Sequence, residues 1–117
     1  MVYIMMIYAD EADWVGKSEA EMAPIMAVHS QLEADLRKAG KYRGCGGLAP
    51  STQAKTVHLG GNKQMITDGP YAETKEVFGG YYLIEANNID EVMPYAARIP
   101  GFAKRAVEVR PVMDFRA

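Results

Sequence analysis

Hydrophobic and polar positions follow two different periods along this chain, and the change of period marks its elements. Residues 2–8 are apolar at nearly every position, which is typical of a strand covered on both faces. Apolar residues then recur at helical spacing behind Ser18, which forms a capping box with Glu21, so the pattern predicts a first helix that ends at Gly40. Pro24 is expected to delay the start of that helix.

The rest of the chain predicts mostly strands. In order, the pattern indicates an irregular glycine-rich strand over 41–48, a hairpin of strands 55–59 and 63–67 around Gly60-Gly61-Asn62, a strand over 81–86, a helix from Asn88 to about Arg98 and a last strand over 106–113. Without the hairpin, this order is the split βαβ pattern of ferredoxin-like folds. The predicted class is therefore α+β, a ferredoxin-like split βαβ with an extra β-hairpin.

Both faces of two predicted strands are apolar, which bears on the oligomeric state. In the ferredoxin-like arrangement both helices cover one face of the sheet. The strand over 81–86 presents Tyr82 and Ile84 on one face but Tyr81 and Leu83 on the other, and residues 2–8 are similar. A monomer would expose an apolar patch of several hundred Å². The sequence therefore predicts a homodimer joined sheet to sheet.

Composition narrows the class of protein. The 117 residues, 49% of them hydrophobic, predict one domain over residues 1–117. The net charge of −2, with scattered Lys and Arg, argues against a nucleic-acid partner. A single cysteine, Cys45, excludes an intramolecular disulfide and favours a cytoplasmic location. No membrane-spanning run, metal-ligand spacing or cofactor motif is visible, so we expect neither a membrane partner nor a cofactor.

His29 is the sharpest candidate for chemistry. It lies on the apolar stripe of the first helix, three residues after Met26 and three before Leu32, so its side chain is expected to face the sheet. It is either a core histidine with one satisfied hydrogen bond or an acid/base group in a cleft between helix and sheet. Histidine suits the second role because its pKa lies near neutrality.

The segment 67–76 is dense in charge and turn residues although it lies between two strands. Asp68 before Gly69 and Pro70 predicts a turn. Asp68 is also the expected partner of His29, since a carboxylate bonded to one ring nitrogen orients an imidazole and supports its cation. Turn formation alone explains Asp68 equally well.

Two further positions carry open alternatives. Arg110 shares a strand face with Glu108, and this pair either binds a small acid or simply forms local ion pairs. Cys45 lies between Gly44 and Gly46 and is either an inert small residue or a nucleophile.

Four segments together resemble a known family. They are MVYIMMIYADEADW, MAVHSQLEADLRKAG, TDGPYAETKEVFGGYYLIEA and AVEVRPVM, and in this order they cover nearly the whole chain. They are similar to the DGPF-domain branch of the YCII-related proteins. Tyr71 stands where the name motif of that branch has phenylalanine, and its added hydroxyl makes Tyr71 a candidate for ligand contact.

The resemblance implies a fold and two alternative functions. It implies a dimeric α+β barrel and a site that pairs a helix-one histidine with an aspartate, which His29 and Asp68 match. The wider superfamily implies a lyase or isomerase acting on small cyclic or aromatic compounds, often without a metal. The alternative is a non-catalytic metabolite-binding or regulatory module associated with an extracytoplasmic-function sigma factor.

Overall fold

The computed structural model of the chain describes residues 1–115. Six strands and two α-helices follow one another in the predicted order, so the α+β class is confirmed. The strands are β1 (Val2–Asp10), β2 (Tyr42–Gly47), β3 (Lys55–His58), β4 (Met65–Asp68), β5 (Glu76–Glu85) and β6 (Arg105–Pro111). The helices are α1 (Glu19–Lys38) and α2 (Ile89–Ala96), with short 3-10 helices at Glu11–Asp13 and Ser51–Gln53.

Four strands form one antiparallel sheet in the order β2-β5-β1-β6. β1 is central, and its Met5 lies opposite Tyr82 of β5 on one side and Val109 of β6 on the other. β5 begins at Glu76, earlier than the predicted residue 81. Because β2 and β6 are edge strands, the sheet formed by residues 1–115 is open and does not close into a barrel.

The predicted extra hairpin is present as a separate sheet of β3 and β4. An isolated two-stranded sheet is only marginally stable, so its attachment matters. At its base the Glu11 carboxylate accepts a hydrogen bond from the Ser51 backbone N–H at 2.7 Å and another from the Ser51 hydroxyl. The hairpin is thereby tied to the segment that follows β1, while Ile66 and Leu59 stay exposed.

α1 has defined signals at both ends. Ser18 Oγ accepts from the Glu21 N–H, and Glu21 Oε1 accepts from the Ser18 N–H, each at 3.1 Å, so the predicted capping box is confirmed. Gly40 has φ +72°, and the Lys41 N–H donates to Leu36 O, as in a Schellman motif. The predicted delay at Pro24 was wrong, because α1 begins at Glu19, where the capping box of Ser18 and Glu21 sets its start.

α2 is shorter than the pattern indicated, ending at Ala96 instead of near Arg98. Asn88 Oδ1 accepts from the Glu91 N–H at 3.1 Å, but the Glu91 carboxylate accepts from Asn87, so only half of the second capping box forms. No helix formed by residues 1–115 is long and apolar enough to cross a bilayer.

Both helices contribute to one core on a single face of the sheet. α1 supplies Leu32 and Leu36, which pack with the other members of the cluster. The other buried members are Tyr3, Met5, Tyr82, Ile84, Ala86, Val92, Ala96 and Ile99. The N-terminal half of the α1 stripe stays outside this core, since Met26 is 53% exposed. α1 is therefore held to the sheet through its C-terminal half.

On the opposite face of the sheet the two middle strands, β1 and β5, are mostly apolar, and neither helix of residues 1–115 covers them. Its partly buried apolar side chains are Val2, Ile4, Met6, Tyr8, Phe78, Tyr81 and Leu83, which we call the open face. Charged residues, Glu85, Glu108 and Arg110, lie at its margins. The accessible surface of the chain is 8204 Å². A compact monomer of 12.9 kDa is expected to expose about 6,300 Å². The chain thus exposes about 1,900 Å² more than its mass requires.

The anchoring of α1 gives a first prediction. Leu36→Ala should lower the free energy of unfolding by about 2–5 kcal/mol, because it opens a cavity in a fully buried site. Val28→Ala, at a 42% exposed position of the same helix, should cost less than about 1 kcal/mol. Urea unfolding measures both, and equal losses would contradict the view that only the C-terminal half of α1 packs on the sheet.

Candidate functional site

A cavity of about 430 Å³ lies between the N-terminal half of α1 and the sheet. Met22 and Met26 of α1 form part of its roof, and Trp14 closes part of its wall. Its floor includes Gly47 and Gly80, which carry no side chains. The space exists because α1 stands off the sheet at a place where the strands present glycine.

The side chains of His29 and Tyr82 form the central polar pair of this cavity. His29 Nδ1 lies 2.6 Å from Tyr82 Oη, and the two rings are stacked with centroids 5.8 Å apart. Tyr82 lies opposite Met5 on the sheet face that carries the core, and it is only 4% exposed. The prediction that His29 faces the sheet is therefore confirmed, and it is not sealed in the core because it lines the cavity.

Burial sets the charge state of both groups. It lowers the pKa of His29 below the ordinary 6.5, because an imidazolium loses solvation there. Burial also raises the pKa of Tyr82 to about 12, with smaller contributions from Cys45 and Glu33. At neutral pH the pair is consequently an uncharged imidazole and a protonated phenol.

The shared hydrogen bond links the tautomer of His29 to its chemistry. When Tyr82 donates to Nδ1, the other nitrogen, Nε2, carries hydrogen and can donate to a ligand. When Nδ1 donates to the Tyr82 oxygen, Nε2 is unprotonated and can accept a proton. The pair is thus able to support both halves of a proton transfer.

A second polar cluster lines the same cavity. Cys45 Sγ donates to Glu33 Oε1 at 3.5 Å and accepts from the Tyr42 hydroxyl at 3.2 Å. The hydrogen bond from Arg37 to Glu33, and then that from Cys45, lower the pKa of the Glu33 carboxyl. Within residues 1–115, no group of three His, Cys, Asp or Glu side chains is arranged to hold a metal ion.

The structure does not bring Asp68 to His29. Asp68 ends β4 on the hairpin, its side chain is 86% exposed, and its Oδ1 lies 3.1 Å from Lys55 Nζ. It is absent from the lining of the cavity. Within one chain, the partner of the imidazole is Tyr82 and not the predicted carboxylate, because β4 belongs to a different sheet.

The two predicted ligand contacts also lie elsewhere. Tyr71 is 82% exposed beyond β4, where its ring contacts that of His58 at 6.0 Å between centroids. Arg110 lies opposite Ile4 on β6, and its Nε is 3.8 Å from Glu108 Oε2. Neither residue lines the cavity, so their predicted roles in ligand binding gain no support from this geometry.

Sequence reasoning missed Tyr82 and Glu33 as site residues. The signal for Glu33 was its spacing, since it follows His29 by four residues and so shares its helix face. Tyr82 could have been found from alternation, because it faces the helices whereas Tyr81 does not.

The fold and the cavity define an α+β protein with a partly open, largely apolar cleft of ligand size. The model of the YCII-related domain matches residues 1–116. Uncharacterized protein R00369 of Rhizobium meliloti (strain 1021) is 32% identical over 118 residues, covering 99% of this chain and 95% of that protein. The chain therefore belongs to the YCII-related family, as its motifs indicated.

The lowered pKa of His29 gives a prediction about stability. As pH falls below 6.5 the unfolded chain binds a proton at this position before the folded chain does, so the free energy of unfolding should decrease. The decrease should be visible above the carboxylate range near 4.5. Denaturant unfolding across this window should show a smaller slope for His29→Gln than for the unsubstituted chain. An unchanged slope would contradict the assignment.

Proposed function

We propose that this chain is a homodimeric enzyme of the lyase or isomerase class that moves a proton on a small cyclic or aromatic molecule. The observation that carries the proposal is the His29–Tyr82 pair at the wall of the cavity under α1. A concave apolar site with a few convergent polar groups is the usual form of a small-molecule site. A titratable pair with shifted pKa values in such a site supports acid/base chemistry.

The pair supports a simple proton cycle. In the tautomer with Nδ1 protonated, Nε2 of His29 takes a proton from a carbon beside a carbonyl group, and the Tyr82 oxygen accepts the Nδ1 hydrogen bond of the resulting cation. The imidazolium then returns the proton to a different carbon in an isomerisation, or to a departing group in an elimination. Burial disfavours the cation and so promotes the return step.

The open face supports the dimer. We propose that two copies pack through this face, which gives two ferredoxin-like subunits sharing a dimeric α+β barrel, as in the DGPF branch. Packing of the two open faces would remove the side chains of β1 and β5 on this face from water, which is the usual source of stability in a homodimer interface. The cavity lies on the other face of the sheet, so each subunit would keep its own site.

Loss of the imidazole tests the catalytic role. A library of small cyclic and aromatic compounds can be screened by NMR for compounds that the protein consumes. For any such substrate, His29→Gln should lower turnover by about 100-fold to 10,000-fold, the usual worth of a positioned general base. Binding should change much less, because glutamine keeps a polar group at the wall.

His58→Gln is the matched control, since it alters the second of the two histidines at a position outside the cavity. Its turnover should equal that of the unsubstituted chain. If His29→Gln retains full turnover, the proton-transfer role is wrong. If compounds bind in the cavity but none is converted, the second function, a metabolite-binding or regulatory module, is favoured.

A charge on the open face tests the dimer. Met6→Glu should convert a dimer to a monomer in sedimentation velocity, because it places a carboxylate between Tyr81 of β5 and Glu108 of β6 on this face. Val28→Glu adds the same charge on the exposed side of α1 and should leave the dimer intact. A monomeric unsubstituted chain at micromolar concentration would refute this arrangement.

A further inference from the structure

Arg105 lines the same cavity, and its charge has no acidic partner among residues 1–115. Its Nε and Nη2 donate to Ile99 O at 3.0 and 2.8 Å, and its Nη1 donates to Ala103 O at 3.1 Å. No carboxylate of residues 1–115 lies within 4.0 Å of it. The guanidinium is therefore held in place by neutral carbonyl oxygens and not by an ion pair.

The connection between α2 and β6 leaves room for the Arg105 side chain at Gly101. A Cβ on Gly101 would overlap Arg105 Cδ and lie 2.9 Å from Arg105 Nε. Glycine at 101 thus lets the arginine lie against the connection between α2 and β6. Of the five N–H groups of the guanidinium, one on each terminal nitrogen is left for a ligand.

We propose that Arg105 anchors the carboxylate of the ligand, and that the substrates are small monocarboxylic acids with an apolar, cyclic body. This inference rests on the proposed function, since it names the substrate class of the same cavity. An arginine with free N–H groups is the side chain best suited to a carboxylate, through charge-assisted hydrogen bonds.

The other charges of the cavity favour one carboxylate over two. Glu33 and Asp13 also line it. Glu33 is paired with Arg37 at 3.2 Å, whereas Asp13 has no cation within 4.0 Å in the described part of the chain. A second carboxylate on the ligand would lie near these acids and be repelled, so diacids should bind less well than monoacids.

Sheet geometry sets the length of the ligand. Arg105 lies opposite Ala9 of β1, and Tyr82 lies opposite Met5, on the strand at the other side of β1. Their backbones are thus separated by roughly 14 Å along the strands and about 10 Å across them. The carboxylate must therefore lie several bonds from the reacting carbon, with the ring of the ligand between them under α1.

The single tryptophan, Trp14, lines the cavity and reports binding by its fluorescence. The probes are 4-phenylbutyrate and its uncharged amide, 4-phenylbutyramide, titrated at neutral pH. The acid should bind at least about tenfold more tightly than the amide, the worth of one charge-assisted contact. In Arg105→Gln this preference should vanish while the affinity for the amide stays the same. Equal affinity for acid and amide in the unsubstituted chain would overturn the inference.

Two further variants distinguish the effect of the position of the Arg105 guanidinium from the effect of net charge. Gly101→Ala keeps the arginine but displaces it, so it should weaken binding of the acid more than binding of the amide. Lys104→Gln removes a neighbouring positive charge outside the lining and should change neither affinity. If Lys104→Gln weakened acid binding as much as Arg105→Gln, the effect would be one of net charge and the anchor would be refuted. Circular dichroism confirms that each variant is folded.

The same titrations distinguish this inference from the proposed function. If the preference for the acid depends on Arg105 but His29→Gln retains full turnover, Arg105 binds the carboxylate and the proton-transfer role of His29 is wrong. Loss of turnover in His29→Gln, combined with no acid preference, would keep the enzyme and refute the anchor.

Discussion

The site depends on how α1 is attached to the sheet. Leu32 and Leu36 are fully buried against β1 and β5, and the Schellman motif at Gly40 fixes the end of the same half of the helix. The N-terminal half has no comparable contacts, so it projects over the glycines of β2 and β5. A cavity lined by apolar side chains lowers the stability of a fold. The presence of such a cavity under α1 therefore favours a role in ligand binding.

The two faces of the sheet have different surroundings, although β1 and β5 are apolar on both. On the helix face, alternation places Met5 and Tyr82 against the core and the cavity. On the open face it places Ile4 and Leu83, which are only partly buried and which neither helix of residues 1–115 covers. One sheet thereby supplies both a site and a surface suited to a second copy, without the two competing.

Local signals in the sequence predicted the elements well, and long-range relations poorly. The Ser18–Glu21 capping box and Gly40 fixed α1, because caps depend on residues a few positions apart. The direction of His29 followed from helical spacing. The hydrogen-bond partner of His29 could not be predicted in this way. Tyr82 and Asp68 both lie far from His29 in the sequence, and no local pattern shows which of them is nearer in the fold. Arg105 was missed because its exposure to the cavity depends on a turn around Gly101.

The separation between Arg105 and Tyr82, the partner of His29, matters for the chemistry that we propose. At an effective dielectric constant of about 20, a lone charge roughly 15 Å away changes the energy of an imidazolium by only about 1 kcal/mol. A carboxylate bound to Arg105 largely cancels even that field, because the two charges together are nearly neutral. The burial that lowers the pKa of His29 therefore continues to act when an acid is bound, and the imidazole enters the reaction as an unprotonated base.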